Sequence, residues 1–171
     1  MNAPLTLVML AGMPGAGKST LARALADQLG WLVLDKDVVH TTLLAQGVAA
    51  DQAGPVAYQV TVSLAEDLVQ RQHRSLLLDT AGRQPSILAA CQRIAQASGS
   101  RLRVVRCTAP SIVRAARMAG RAGLPSQWAA DDTPPEVEAA WYAHLPAETL
   151  LLDMTQPLAA ALAQAAVFVE V

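Results

Sequence analysis

Between two apolar runs near the N-terminus lies GMPGAGKST, residues 12–20, and no other stretch limits the fold of this chain as tightly. It fits G-x-x-x-x-G-K-[ST] at Gly12, Gly17, Lys18 and Ser19. Glycines let backbone N–H groups converge on phosphate oxygens, so Pro14, Gly15, Ala16, Gly17 and Thr20 read with them as a phosphate cradle, and a helix N-terminus behind it adds its dipole. Lys18 is expected to reach the β- and γ-phosphates and the Ser19 hydroxyl to ligate Mg²⁺. Such a turn works only between a buried strand and a helix. Both are present: LTLVMLA, residues 5–11, is a continuous apolar run, and Leu21, Leu25 and Leu29 then recur every four residues until Gly30.

The same alternation continues down the chain. WLVLD, SLLLD, RLRVVRC and ETLLLD read as further strands, each ending near a turn signal. Helices are expected over 37–45, from about Pro55 to Gln72, over PSILAACQRIAQAS, over PSIVRAARMAGRAG, over EVEAAWYAHL and in the alanine-rich tail. GVAADQAGP and LPSQWAADDTPP read as loops, Pro55 being suited to a first helical position. Five strands separated by helices predict an α/β fold, a five-stranded parallel sheet with right-handed crossovers and helices on both faces. Ligands of such sheets sit at the carboxyl ends of the strands.

Length predicts one domain over the whole 171 residues, and 53% apolar against 16% charged residues is the composition of a core-rich fold. A net charge of −1 offers no global basic field for a nucleic acid. No apolar run is long enough to span a bilayer and no basic-then-apolar leader opens the chain, so the expectation is a cytoplasmic protein without membrane contact. Cys91 and Cys107, without CxxC or a His partner, read as buried and inert.

Charge clusters at two other strand ends. Asp79 closes LLLD, where a carboxylate can hold Mg²⁺ directly or through water. At VLDKDVVH, one of the chain's two lysines stands between Asp35 and Asp37. Helix capping accounts for one aspartate, but not for Lys36 or for a location opposite the phosphate turn. DTAG also resembles the switch of small GTPases, yet the guanine-selecting N-K-x-D element is missing, because Lys18 and Lys36 are the only lysines. An AAA+ motor needs more chain than this.

With these motifs in place, the chain resembles the AAA_33 and zeta-toxin-like group of P-loop kinases, relatives of polynucleotide kinases, chloramphenicol phosphotransferase, and gluconate and shikimate kinases. The resemblance runs from Leu5 to about Trp128. It implies the three-layer P-loop fold with an Arg-bearing lid at about 114–135, in which Arg117 and Arg121 cover ATP. It also implies that Asp37 acts as the base or orients the acceptor hydroxyl; Asp35, nearer the phosphate turn, is by position the better Mg²⁺ partner beyond the direct ligands and stands as the alternative base. His40 stands where many relatives carry Arg or Lys, a departure that points to a less charged acceptor unless Arg83 restores the charge.

Tyr58 is a further acceptor-side candidate, an ordinary half-buried tyrosine being the alternative. Ser126 and Trp128 are candidate lid residues, packing of the loop on the core being the equal alternative. His73, His144, Trp31 and Trp141 read as structural or surface residues, and Arg101, Arg103 and Arg106 as alternating strand residues exposed on one face. The expected activity is transfer of the γ-phosphate of Mg²⁺-ATP to a hydroxyl of a small-molecule or nucleotide-like acceptor. A 5′-hydroxyl polynucleotide kinase and a nucleotide-binding regulatory ATPase without an acceptor are the alternatives.

Overall fold

The computed structural model describes residues 4–120 and 133–170. In chain order the elements are β1 (Thr6–Ala11), α1 (Lys18–Leu29), β2 (Leu32–Asp35), α2 (Lys36–Ala45), α3 (Ala50–Glu66), β3 (Leu76–Asp79), α4 (Pro85–Ser98), β4 (Arg101–Thr108), α5 (Ser111–Ala119), α6 (Pro135–Trp141), β5 (Leu150–Asp153) and α7 (Leu158–Glu170). The strands form one parallel sheet in the order β2-β3-β1-β4-β5.

All of β1 is buried, which is why its sequence shows no alternation: both faces of the sheet are covered. Val8 and Leu10 point into the core shared with α1 and α7, alongside Leu21, Leu25, Leu77 and Val169. Leu7 and Met9 point the other way, into the core built from Leu76, Leu78, Ile87, Cys91 and Val69. The alternation of side chains along a strand thus assigns one apolar run to two cores. Both cysteines are buried, and burial pushes both thiols up to about 12, so they stay protonated and inert.

Three local expectations change. α3 starts at Ala50 and encloses Pro55, rather than starting at that proline. The helix is carried by a four-residue stripe of small buried side chains, Ala53, Ala57, Thr61 and Ala65. The amide that Pro55 lacks would have met the carbonyl of Asp51, an exposed first-turn residue whose carbonyl water can serve. α3 then passes into a π-helical turn over Asp67–Arg71.

α2 begins at Lys36 because Asp35 supplies its cap, its Oδ1 accepting from the Asp37 N–H at 2.8 Å. The strand arginines are not merely exposed. Arg101 and Arg103 donate to the carbonyls of Glu170 and Phe168, satisfying the last turn of α7, and the Arg103 guanidinium lies over the Phe168 ring. Arg106, on the opposite face, pairs with Glu138 and lies over Tyr142.

Candidate active site

The Gly-rich turn leaves the central strand β1 at Gly12, whose N–H donates to the carbonyl of Ala81 beyond β3 at 3.1 Å. Gly12 has φ 137°, and a Cβ on it would lie 2.3 Å from the carbonyl oxygen of Cys107, so only glycine fits between β1 and β4. Gly17, also at positive φ, caps α1 without any side-chain hydrogen bond, which leaves the first amides of α1 directed at the turn. Lys18 Nζ donates to the Met13 carbonyl at 3.1 Å and so lies folded along the loop it would share with a phosphate.

Asp79 at the end of β3 is buried, and the Ser19 hydroxyl lies near enough to favour its charged form. Burial pushes the Asp79 pKa up, Lys18 and Ser19 oppose this, and Asp35 and Asp37 reinforce it. In the sheet register Asp79 stands opposite Asp35. These two strand-end aspartates differ in use: Asp79 lines the cavity below, whereas the Asp35 carboxylate is turned to the α2 cap.

A cavity of about 260 Å³ opens over the loop, lined by Lys18, Ser19 and Thr20 on one side and by Asp37, His40 and Tyr58 on the other. Pro14, Gly15, Gly17, Asp79 and Arg83 complete the set of expected residues on its wall. Gly12 and Ala16 support the loop from behind, Ala16 being fully buried. Lys36 also lines the cavity: its Nζ is 2.5 Å from Asp37 Oδ1 and 5.2 Å from the Tyr58 ring centre. Burial raises the Tyr58 pKa, with Asp37 adding to this and Arg83 opposing it. The Arg83 guanidinium stacks 4.7 Å over Trp141, so a residue expected to be structural holds a cation on the cavity wall.

The helix that carries Arg117 packs on the loop. Arg117 donates to the carbonyls of Gly15 and Met154, at 3.4 and 2.5 Å, tying α5 to the phosphate turn and to the end of β5. Arg117 therefore reaches the loop backbone rather than the cavity wall, where α5 contributes Met118. Arg121, Ser126 and Trp128 lie outside the described residues. Sequence reasoning missed Arg114, which is buried and bonds the Ala109 carbonyl and Glu138, both at 3.0 Å. It also missed Glu138 and Gly54. For Arg114 the signal was its place on the same basic helix as Arg117, whereas nothing local marks Gly54.

A glycine-rich turn between a central buried strand and a helix, with a strand-end carboxylate on the same cavity wall as the lysine and serine that follow the turn, defines a P-loop protein. More narrowly, residues 7–144 match the AAA_33 family, described as an AAA domain, and the chain belongs to that family. It is 32% identical over 134 residues to uncharacterised proteins of Mycobacterium tuberculosis and Mycobacterium bovis, an overlap of 71% of this chain. The chain spans 27% of the length of those curated relatives.

Among solved structures it is similar to a candidate kinase of Chloroflexus aurantiacus, with TM-score 0.73, 20% identity, and 96% and 97% of the two chains covered. A gluconokinase of Sinorhizobium meliloti superposes with TM-score 0.60 and 19% identity over 99% of this chain and 93% of its own. The APS kinase of Mycobacterium tuberculosis, solved with AMPPNP and APS, gives TM-score 0.65 and 16% identity over 99% and 100%. These likenesses establish the three-layer fold of P-loop kinases. No helix among the described residues is long and apolar enough to cross a membrane.

Proposed function

We propose that the protein is an ATP-dependent kinase that transfers the γ-phosphate to a hydroxyl of a small acceptor. The observation that supports this reading is that one cavity gathers on its wall Lys18, Ser19 and Asp79 together with Asp37 and Tyr58. Phosphoryl transfer requires in-line placement and charge stabilisation rather than covalent chemistry from the protein. The acceptor oxygen attacks the γ-phosphorus, the bond to the β–γ bridging oxygen breaks with its electron pair leaving on ADP, and the hydroxyl proton passes to Asp37.

In this reading the amides of residues 14–20 and Lys18 hold the β- and γ-phosphates. Arg117, and Arg121 with it, brace the lid over the nucleotide, and Arg83 and His40 line the acceptor side. The Ser19 hydroxyl and the Asp79 carboxylate are the hard oxygen donors that suit Mg²⁺. Among the described residues no three His, Cys, Asp or Glu side chains converge on a metal site. Bound there, Mg²⁺ would neutralise charge on the β- and γ-phosphates. Asp35 acts through its cap, holding the amide of Asp37 and thereby the start of α2.

A net charge of −1 offers no global basic field for a polynucleotide, which favours a small molecule as the acceptor. The test is ATP-dependent phosphate transfer by purified protein to a panel of alcohols, sugars, nucleosides and 5′-hydroxyl oligonucleotides. Transfer to a small alcohol that disappears in Asp37→Asn while ATP binding stays supports the reading. Slow ATP turnover unaffected by every acceptor replaces it with a nucleotide-dependent regulator.

A further inference from the structure

His40 lies one helical turn beyond Asp37 on α2, on the face that also carries Lys36, and all three line the cavity. Its ring packs on α3 where that helix has no side chain: Cε1 and Nε2 are both 3.8 Å from the point a Cβ on Gly54 would occupy. Gly54 itself lines the cavity, so the Cε1–Nε2 edge is the one directed at the shared wall. The other nitrogen, Nδ1, is buried without a hydrogen-bond partner among the described residues.

These facts fix what the ring can do. Burial lowers the His40 pKa, Lys36 lowers it further and Asp37 opposes, so near neutral pH the imidazole carries no charge. A neutral imidazole has one N–H and one bare nitrogen. Sealed N–H groups without an acceptor are rarer in proteins than sealed acceptors. The tautomer that fits therefore keeps Nδ1 bare and carries the proton on Nε2, toward the cavity. A neutral donor at this place cannot balance an anionic group, but it matches the oxygen of a hydroxyl. Positions i and i+3 of a helix have their Cβ atoms about 5–6 Å apart, a span that hydroxyls on neighbouring or alternate carbons of one molecule can bridge.

Resting on the kinase reading above, we infer that His40 is a specificity-determining residue: its Nε2–H donates to a second hydroxyl of the acceptor while Asp37 receives the proton of the first. The acceptor class is thus a polyol, and a mono-alcohol of the same carbon length lacks the group His40 reads. Gly54 leaves the space beside the ring open, although a Cβ there would meet the ring only at ordinary contact distance.

The experiment uses the full chain and pairs matched probes, glycerol against 1-propanol and xylitol against 1-pentanol. Imidazole ¹⁵N and ¹³C signals are followed by NMR with an ATP analogue present, His40 being assigned by the signal lost in His40→Gln. The polyols are expected to shift the His40 signals saturably, and the mono-alcohols to leave them in place. In phosphate transfer to xylitol, His40→Ala is expected to raise KM about tenfold, the loss of one hydrogen bond, with kcat nearly unchanged, and His40→Gln to recover most of it because its amide also donates. Absence of a saturable polyol shift overturns the inference. So does a His40→Ala variant that loses kcat at unchanged KM, or a His40→Gln variant no better than alanine. A polyol-only shift without transfer to any acceptor retains the His40 assignment and rejects the kinase reading. Transfer to a mono-alcohol as efficient as to its polyol, unchanged in His40→Ala, does the reverse.

Discussion

Lys36 sits between Asp37 and Tyr58, its ammonium 2.5 Å from the carboxylate and stacked over the ring, with its side chain only 11% exposed. A half-buried cation in this place fixes the carboxylate that would meet the acceptor, because charge-assisted hydrogen bonds hold geometry more firmly than neutral ones.

Replacing Lys36 by Met should therefore leave ATP affinity unchanged and reduce transfer by up to about 100-fold, the scale of loss from small misplacements of reacting groups. Nucleotide titration and single-turnover transfer rates separate the two effects. A parallel loss of ATP binding would assign Lys36 to the nucleotide instead.

Asp79 is buried and its pKa is raised in the folded protein. A carboxylate shifted in that direction adds stability below its unfolded pKa and loses that contribution as pH rises through its folded pKa. In the absence of nucleotide and Mg²⁺, Asp79→Asn should thus be more stable than the wild type at neutral pH. The gain should fade as pH falls through the raised folded pKa and be gone once the ordinary carboxylate range is reached. Thermal melts from acid to neutral pH measure this, each kcal/mol appearing as about 2–4 °C in Tm. A lower melting temperature for Asp79→Asn at pH 7 would mean that Lys18 and Ser19 more than offset the burial.

Two glycines in the left-handed region should respond differently to alanine. Gly30 ends α1 with nothing within 4 Å of a Cβ position, so Gly30→Ala carries only the backbone cost of about 1–2 kcal/mol. Gly12→Ala adds a clash with the Cys107 carbonyl and should cost more, as well as displacing the phosphate turn. Urea unfolding of both variants tests the ranking, and equal costs would show that β1 and β4 part freely.

Glu138 joins Arg106 of β4 to the buried Arg114 of α5, with 15% of its side chain exposed. Glu138→Gln leaves Arg114 without its counter-charge and should cost about 3–5 kcal/mol in unfolding free energy. The exposed pair of Asp67 and Arg71 supplies the contrast, since Asp67→Asn should change stability by less than about 1 kcal/mol. Similar small effects in both would place Glu138 in effective contact with solvent.

The parts of this fold that could be read from the sequence are those written in local periodicity. The continuous apolar run of β1 and the leucines of α1 bracket the phosphate turn within a few residues of one another, so strand, loop and helix were legible together. The start of α3 was not, because its buried stripe is alanine and threonine, which carry little hydropathic signal, and Pro55 mimicked a helix start. Spacing also revealed that Arg101 and Arg103 share a face but not what covers it. Their acceptors are 69 and 65 residues away, brought there by the closing helix. The same limit hid the partnership of Arg114 with Glu138, 24 residues apart, and the stacking of Arg83 on Trp141. Asp35 and Asp37 were legible as a pair, but only the local cap geometry distinguishes them.

The central position of β1 divides the molecule into two halves that meet at the phosphate turn. Asp37, Tyr58 and Arg83 come from the β2 and β3 flank, whereas Arg114, Arg117 and Met154 come from the β4 and β5 flank. The two flanks also touch beyond β1, where Arg83 stacks on Trp141 and the Tyr142 hydroxyl donates to the Ala81 carbonyl. On the kinase reading proposed above, recognition of the molecule receiving the phosphate could drift, or be rebuilt by design, through Asp37 and Tyr58 without altering the glycine-rich turn that would hold the molecule giving it.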